Sequence, residues 1–263
     1  PFRIRESRQG DIVNSQVWYV AQPVSNFSDK GYSKFAKDHK NRLPMLYVVG
    51  NDGMLHGFSA ENGQEKIAYV PKGVIQNLPE LTKPDYKHLY FVDGSPFSGD
   101  VNIGSDSSPN WRTFLVGTLG AGGKGYFVLD VTKPGSPSTI TSSAVDNEFS
   151  KNNASTLVLM DKTAHKDQFT TQSTTDINAD IGHIFASPVV DDSNPHYTNQ
   201  VALMNNGRWA VVMGNGYNSA NQRPVLLIQY LSGNDTSIKA IPAVTSLESP
   251  IAQRNGLSAP RLV

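Results

Sequence analysis

Short apolar runs broken by turns rich in glycine and asparagine set the rhythm of the chain. Residues 45–49 and 54–58 are apolar runs on either side of Gly50-Asn51-Asp52-Gly53. Asn and Asp tolerate left-handed backbone and Gly enters it without steric penalty, so this stretch predicts a tight antiparallel hairpin. A turn at Glu61-Asn62-Gly63 leads to a third run over 67–70. Strand, turn, strand, turn, strand in about 25 residues is a β-meander, the unit from which propeller blades are built. The pattern returns twice: 111–119 and 126–131 flank Gly120-Ala121-Gly122-Gly123-Lys124-Gly125, and 209–213 and 224–231 flank a turn over 214–219. Further strands are predicted at 17–20, 86–92, 184–190 and 238–241, the last after a turn at Ser232-Gly233-Asn234.

Between these runs the period changes. Over 28–40, Tyr32, Phe35 and Ala36 share one helical face while Lys34, Lys37 and Lys40, with Lys30, fall largely elsewhere. Ser28 or Asp29 can cap this short helix, which reads as a cover over one end of a β core in preference to a basic docking helix. Residues 74–81 suggest one helical turn, broken by Pro79 and Pro84. Residues 93–109 read as a polar loop. The stretch 133–180 has one apolar run, 157–160, and reads as a long decorated loop with one hairpin. Glycine-tipped hairpins near 51, 122 and 217 are spaced by about 70 and then about 95 residues, more than the roughly 40–45 of a compact propeller repeat, so insertions separate the repeats.

Composition agrees with an all-β chain. Gly (22) and Pro (16) are frequent and charged residues are only 17%, which suits many turns better than long helices. Lys plus Arg (23) balances Asp plus Glu (23), so the basic footprint of a nucleic-acid binder is missing. There is no cysteine, which excludes disulfides, thiolate metal sites and cysteine nucleophiles. The longest strongly apolar run, 225–228, is far short of a membrane span. The opening Pro1-Phe2-Arg3 and the close at Leu262-Val263 suggest a single domain over 1–263 that belongs to a longer chain, truncated at both ends.

Candidate chemistry is sparse. Gly120 to Gly125 matches G-x-G-x-x-G, but a dinucleotide site needs a helix next, and Tyr126-Phe127-Val128-Leu129-Asp130 reads as a strand. Asp176-Ile177-Asn178-Ala179-Asp180 alternates oxygen ligands as calcium loops do, yet its glycine comes one place late and Ser187 stands where the loop's last Glu belongs; a polar turn is preferred. Asp93, Asp100 and Asp106 are expected to be solvated. The histidines (39, 56, 88, 165, 183, 196) show no metal-ligand spacing, and His56 and His88 are expected to be hydrogen-bonded within strands. Asn153-Ala154-Ser155 and Asn234-Asp235-Thr236 fit the glycosylation sequon. No catalytic, cofactor-binding or metal residue is assigned.

Several longer blocks carry a resemblance: Gly10 to Ser15 (GDIVNS), Arg42 to Phe58 (RLPMLYVVGNDGMLHGF), Ala68-Tyr69-Val70-Pro71, Tyr90 to Pro96 (YFVDGSP), Leu115-Val116-Gly117, Leu119 to Val131 (LGAGGKGYFVLDV) and Trp209 to Ser219 (WAVVMGNGYNS). In this order they resemble the C-terminal propeller of the PilY/PilC family, type IV pilus tip adhesins and biogenesis factors of Gram-negative bacteria. The resemblance implies a seven-bladed, modified β-propeller of four-stranded antiparallel blades with loop and short-helix insertions, of which this chain is roughly the N-terminal half. It also implies an exported protein at the pilus tip or outer surface, without enzymatic activity. Such a protein promotes pilus assembly, adhesion and twitching motility through contacts with minor pilins and with host or abiotic surfaces. The family's calcium loop would begin directly after Val263, so no ligand is carried onto this chain. The alternative is a quinoprotein dehydrogenase using pyrroloquinoline quinone, whose repeats also place a turn like Asp52-Gly53 before one like Ala60 to Gly63. Against it stand the missing cysteine pair and the missing repeat-end tryptophan, where Ile67 and Tyr69 occur.

Overall fold

Three consecutive meanders form three four-stranded sheets, every neighbouring pair antiparallel. They are seen in a computed structural model describing residues 2–5, 7–29, 31–136, 148–232, 236–247 and 255–262. Lys30, the Gly233-Asn234 turn with its sequon, and Val263 lie outside the described residues. The first sheet holds β1 (Trp18–Val20), β2 (Met45–Gly50), β3 (Met54–Ser59) and β4 (Glu65–Tyr69). Its β2–β3 register runs from Met45↔Ser59 to Gly50↔Met54, and Gly53 turns the tip at φ +93°. The second contains β5 (Phe97–Asn102), β6 (Trp111–Thr118), β7 (Tyr126–Asp130) and β8 (Val158–Asp161). The third contains β9 (Val201–Leu203), β10 (Trp209–Gly214), β11 (Val225–Tyr230) and β12 (Ile238–Pro242).

The sheets stack face to face, and β7 shows how. Adjacent side chains in a strand point to opposite faces. Phe127 packs on Tyr69 of β4, with ring centroids 5.1 Å apart, while the Tyr126 hydroxyl donates to Gln229 Oε1 of β11 at 2.6 Å. All five β7 residues and all six β10 residues are therefore buried, and the alternation expected of a sheet with one wet face is lost. The first strands of the sheets lie side by side: Trp18 Nε1 donates to Ser98 Oγ at 2.8 Å, and Gly99 faces Val201. One apolar core, including Tyr47, Leu55, Phe114, Leu129, Trp209 and Met213, runs through all three sheets.

Helix α1 (Tyr32–Asp38) sits between β1 and β2 and covers the core as expected, burying Tyr32 and Phe35 beside Trp111. Its cap differs. The N-cap is Gly31 at φ +82°, not Ser28 or Asp29, because the chain enters pressed against Pro109, where any Cβ would clash. The single helical turn predicted at 74–81 is a longer 3₁₀ segment, Lys72–Thr82, which accommodates Pro79.

Two predicted strands do not form. Over 86–92 the chain is irregular although Phe91 and Val92 are fully buried; Phe91 N–H donates to Asn51 Oδ1 instead of to a strand. At 184–190 Pro188 removes a donor and only isolated bridges form at the ends, His183 to Tyr217 and Val190 to Thr198. Conversely, β5 lies inside the stretch read as a loop, and β8 completes a sheet inside the predicted decorated loop, preceded by the short α2 (Ala154–Leu157).

The glycine turn before β7 is packed tightly: a Cβ on Gly122 would lie 1.7 Å from the Phe91 carbonyl oxygen. Backbone cannot yield as a side-chain tip can, so Gly122→Ala is expected to destabilise the fold by about 3 kcal/mol, read as a lower denaturation midpoint.

Candidate binding face

Where the sheets join, buried carboxylates hold the connecting segments. Asp52, beside the β2–β3 turn, accepts from Gly10 N–H at 2.7 Å, while Asn51 N–H donates to the Asp11 carbonyl at 3.0 Å. Asp93 accepts from both the backbone and the side-chain amide of Asn14, at 3.1 and 2.7 Å. Ser95 Oγ accepts from Gln16 N–H, and Ser15 Oγ from Val49 N–H. Residues 10–16 are thus a strap crossing from the first sheet to the second. Ile12 and Val13 are left exposed on the strap, as are Leu89 and Tyr90 on the segment that His88 ties to Asp11 at 2.8 Å.

Asp93 and Asp100, expected to be solvated, are 1% and 5% exposed; only Asp106 is open to water. Asp100 is buried because hydroxyls reach it from two other elements, Thr113 Oγ1 on Oδ1 and Tyr32 Oη on Oδ2, both at 2.6 Å. Burial and the adjacent carboxylate raise the Tyr32 phenol well above its ordinary value.

His56 is buried, as expected of a structural histidine. Its Nδ1 meets Glu65 Oε1 at 2.5 Å and its Nε2 meets both Asp52 oxygens at 3.1 Å. Burial by itself would lower this imidazole, but the hydrogen bonds and charges of Asp52 and Glu65 outweigh it and raise the group above 6.5. His88 is bonded too, but outside any strand. His183 bonds the Gly120 carbonyl and stacks on Tyr217, and His196 lies against Tyr19. Among the described residues no three His, Asp or Glu side chains converge on a point that could hold a metal.

Gly120–Gly122 form a single 3₁₀ turn and the loop then leads into strand β7, so the helix that a dinucleotide fingerprint needs after it is replaced by a strand. Its Lys124 is buried, with Nζ donating to the carbonyls of Gln168 and Phe169 at 3.1 and 3.0 Å. Desolvation lowers this ammonium below its ordinary value. Nor do the alternating acids at 176–180 suit a cation: Asp176 caps its own 3₁₀ turn (Ile177–Asp180), and Asp180 is bound bidentately by Arg223. In the sequon at Asn153, the side-chain amide donates to the Glu148 carbonyl at 2.9 Å. The Asp180–Arg223 pair and the Lys124 clamp were not foreseen; a lone Arg or Lys inside a glycine- and asparagine-rich turn is the one local sign of each.

A family model described as the PilY1 beta-propeller domain matches residues 9–263. The chain belongs to the PilY1 β-propeller family. It is 36% identical over 273 residues to the type IV pilus biogenesis factor PilY1 of Pseudomonas aeruginosa strain PAO1, covering 99% of this chain and 19% of that protein. A PilY1 homolog of Xylella fastidiosa strain Temecula1 is 35% identical, with 90% of this chain and 16% of that protein covered. The crystal structure of the P. aeruginosa PilY1 C-terminal domain superposes with a TM-score of 0.59 at 32% identity, over 93% of this chain and 40% of that one. This PilY1-family chain therefore spans about a fifth of the length of its curated relatives. Its three sheets are blades of that propeller.

Proposed function

We propose that this chain is part of the propeller of a type IV pilus assembly and adhesion factor, exported to the pilus tip, that acts by presenting surface and turns over no substrate. The observation that carries the reading is 36% identity to a type IV pilus biogenesis factor sustained over 99% of the chain. Minor pilins are the proposed partners on the pilus side and a host or abiotic surface the partner on the other, with twitching motility as the outcome. The exposed apolar residues of the strap and of the 83–92 segment, framed by rigid backbone contacts, suit such contacts. Seven blades and a calcium loop elsewhere in the protein complete the proposal; the acids at 176–180, spent on a turn cap and on Arg223, do not fit a calcium ion.

The test is complementation. Cells lacking the gene are expected to lose surface pili and twitching, regained with the wild-type gene and not with a form lacking residues 9–263. Normal pili without these residues would sink the reading. Purified protein supplied with pyrroloquinoline quinone and calcium is expected to give no alcohol-dependent dye reduction; turnover would favour the dehydrogenase.

A further inference from the structure

A cleft of about 290 Å³ opens where β1, β5 and the segment before β9 meet. Its volume is near the lower end of small-ligand pockets. One wall is aromatic: the rings of Tyr19 and His196 lie 5.0 Å apart, tilted by 58°. Asp100 also lines the cleft; it accepts one hydroxyl on each oxygen, which leaves each oxygen a second acceptor site. Ser98 Oγ accepts from Trp18 Nε1, so its own proton is free to donate. Arg42 lines the cleft next to Asp100 through their shared Thr113 hydroxyl, clamping the Ala21 carbonyl through Nε and Nη2 and donating through Nη1 to Thr113 Oγ1 at 2.7 Å. The guanidinium and the Asp100 carboxylate cancel, and Lys40 at the rim is exposed and solvated.

Each feature narrows the ligand. A buried carboxylate with open acceptor sites repels an anion and welcomes hydroxyl protons. The guanidinium in the wall disfavours a cation. An aromatic face beside a donor and an acceptor fits a ring with an apolar C–H face and an equatorial fringe of hydroxyls. We propose that this cleft binds one neutral hexopyranose unit, either a free hexose or a sugar residue of a glycan. The inference supplies a ligand class for the surface-contact part of the proposed function and rests on that part.

The experiment titrates glucose, galactose and mannose, their methyl glycosides, glucosamine and glucuronate into the purified full-length protein, followed by saturation-transfer NMR and by intrinsic tryptophan fluorescence. At least one neutral hexose is expected to saturate, with the amine and carboxylate sugars at least about tenfold weaker. Tyr19→Ala and Asp100→Asn are each expected to weaken it by about tenfold. Methyl glycosides binding as well as free sugars would indicate a glycan source, and binding of reducing sugars alone a free hexose. Failure of every neutral hexose to saturate, tighter binding of a charged sugar, or binding unchanged in both variants would overturn the assignment. Tyr19 is partly exposed, so Tyr19→Ala tests the site without emptying the core. Pilus counts on the complemented cells separate the two readings: wild-type pili with no sugar binding by the purified protein would remove this inference and leave the pilus role standing.

Discussion

Asp180→Ala is expected to destabilise the protein by about 3–5 kcal/mol, the range for breaking a buried ion pair from one side. Arg223 Nε and Nη2 bind the two Asp180 oxygens at 2.8 and 2.9 Å, and both side chains are about 5% exposed. Asn221 Nδ2 adds a third donor at 2.7 Å, and Arg223 Nη1 donates to the carbonyls of Val244 and Thr245. Removing the carboxylate leaves a guanidinium in the interior with no counter-charge. It also removes the carboxylate's ties from the 3₁₀ turn before the third blade to the β10–β11 connection, leaving the bonds from Asn221 N–H to the Ala179 carbonyl and from the Asn215 amide to the Asp180 carbonyl. The measurement is denaturant unfolding of Asp180→Ala beside the double variant Asp180→Leu/Arg223→Met. The double variant is expected to lose less, since it strands no charge. A single variant within about 0.5 kcal/mol of wild type would show the pair to be dispensable.

The same pair shows where sequence reading stops. Asp180 belongs to the alternating string 176–180, whose local chemistry suggests a cation or a turn; its partner is 43 residues away. β5 was hidden for the same reason. Phe97-Ser98-Gly99-Asp100-Val101-Asn102 carries Gly, Asp and Asn, which disfavour strands, and the hydroxyls that make Asp100 tolerable come from α1 and β6. By contrast, the 45–69 meander was legible because its turns are specified by adjacent residues, with Gly53 and Gly63 both at positive φ. Gly120 to Gly125 was legible as a hairpin turn since the strand after it is strongly β-forming, although not its burial against Phe91. The segment 86–92 was misread because burial and strand pairing were equated: Phe91 and Val92 are core residues, and the Phe91 amide is met by the Asn51 side chain in place of a neighbouring strand. Loop carboxylates looked solvated for want of any local signal, since Asn14 lies 79 residues from Asp93.

The Asp52–His56–Glu65 cluster is expected to make the strap sensitive to pH. His56 is raised above its unfolded value of 6.5, so its contribution is complete below that pH and is lost as the pH rises through the folded value. Asp52 has the opposite sign. Burial alone would raise its carboxyl, but the bonds from His56 and Gly10 outweigh this and hold it below 3.8. Its contribution is complete above 3.8 and is lost as the pH falls through its folded value. Both contributions are present together between about pH 4 and 6.5. His56→Ala is therefore expected to cost about 3 kcal/mol near pH 5.5, because it strands the Asp52 carboxylate among backbone groups, and clearly less near pH 9. Glu65 is half-exposed and solvent screens its share, so Glu65→Gln is expected to cost under about 1 kcal/mol. The same dependence should reach the strap, whose Gly10 amide is held by Asp52. Exchange of that amide, corrected for its intrinsic pH dependence, is expected to be slowest in the acidic window and to quicken on titration through His56. In His56→Ala the corrected rate should be flat across that range. A wild-type profile equally flat would mean that the imidazole stays in one protonation state and that the strap is held without it.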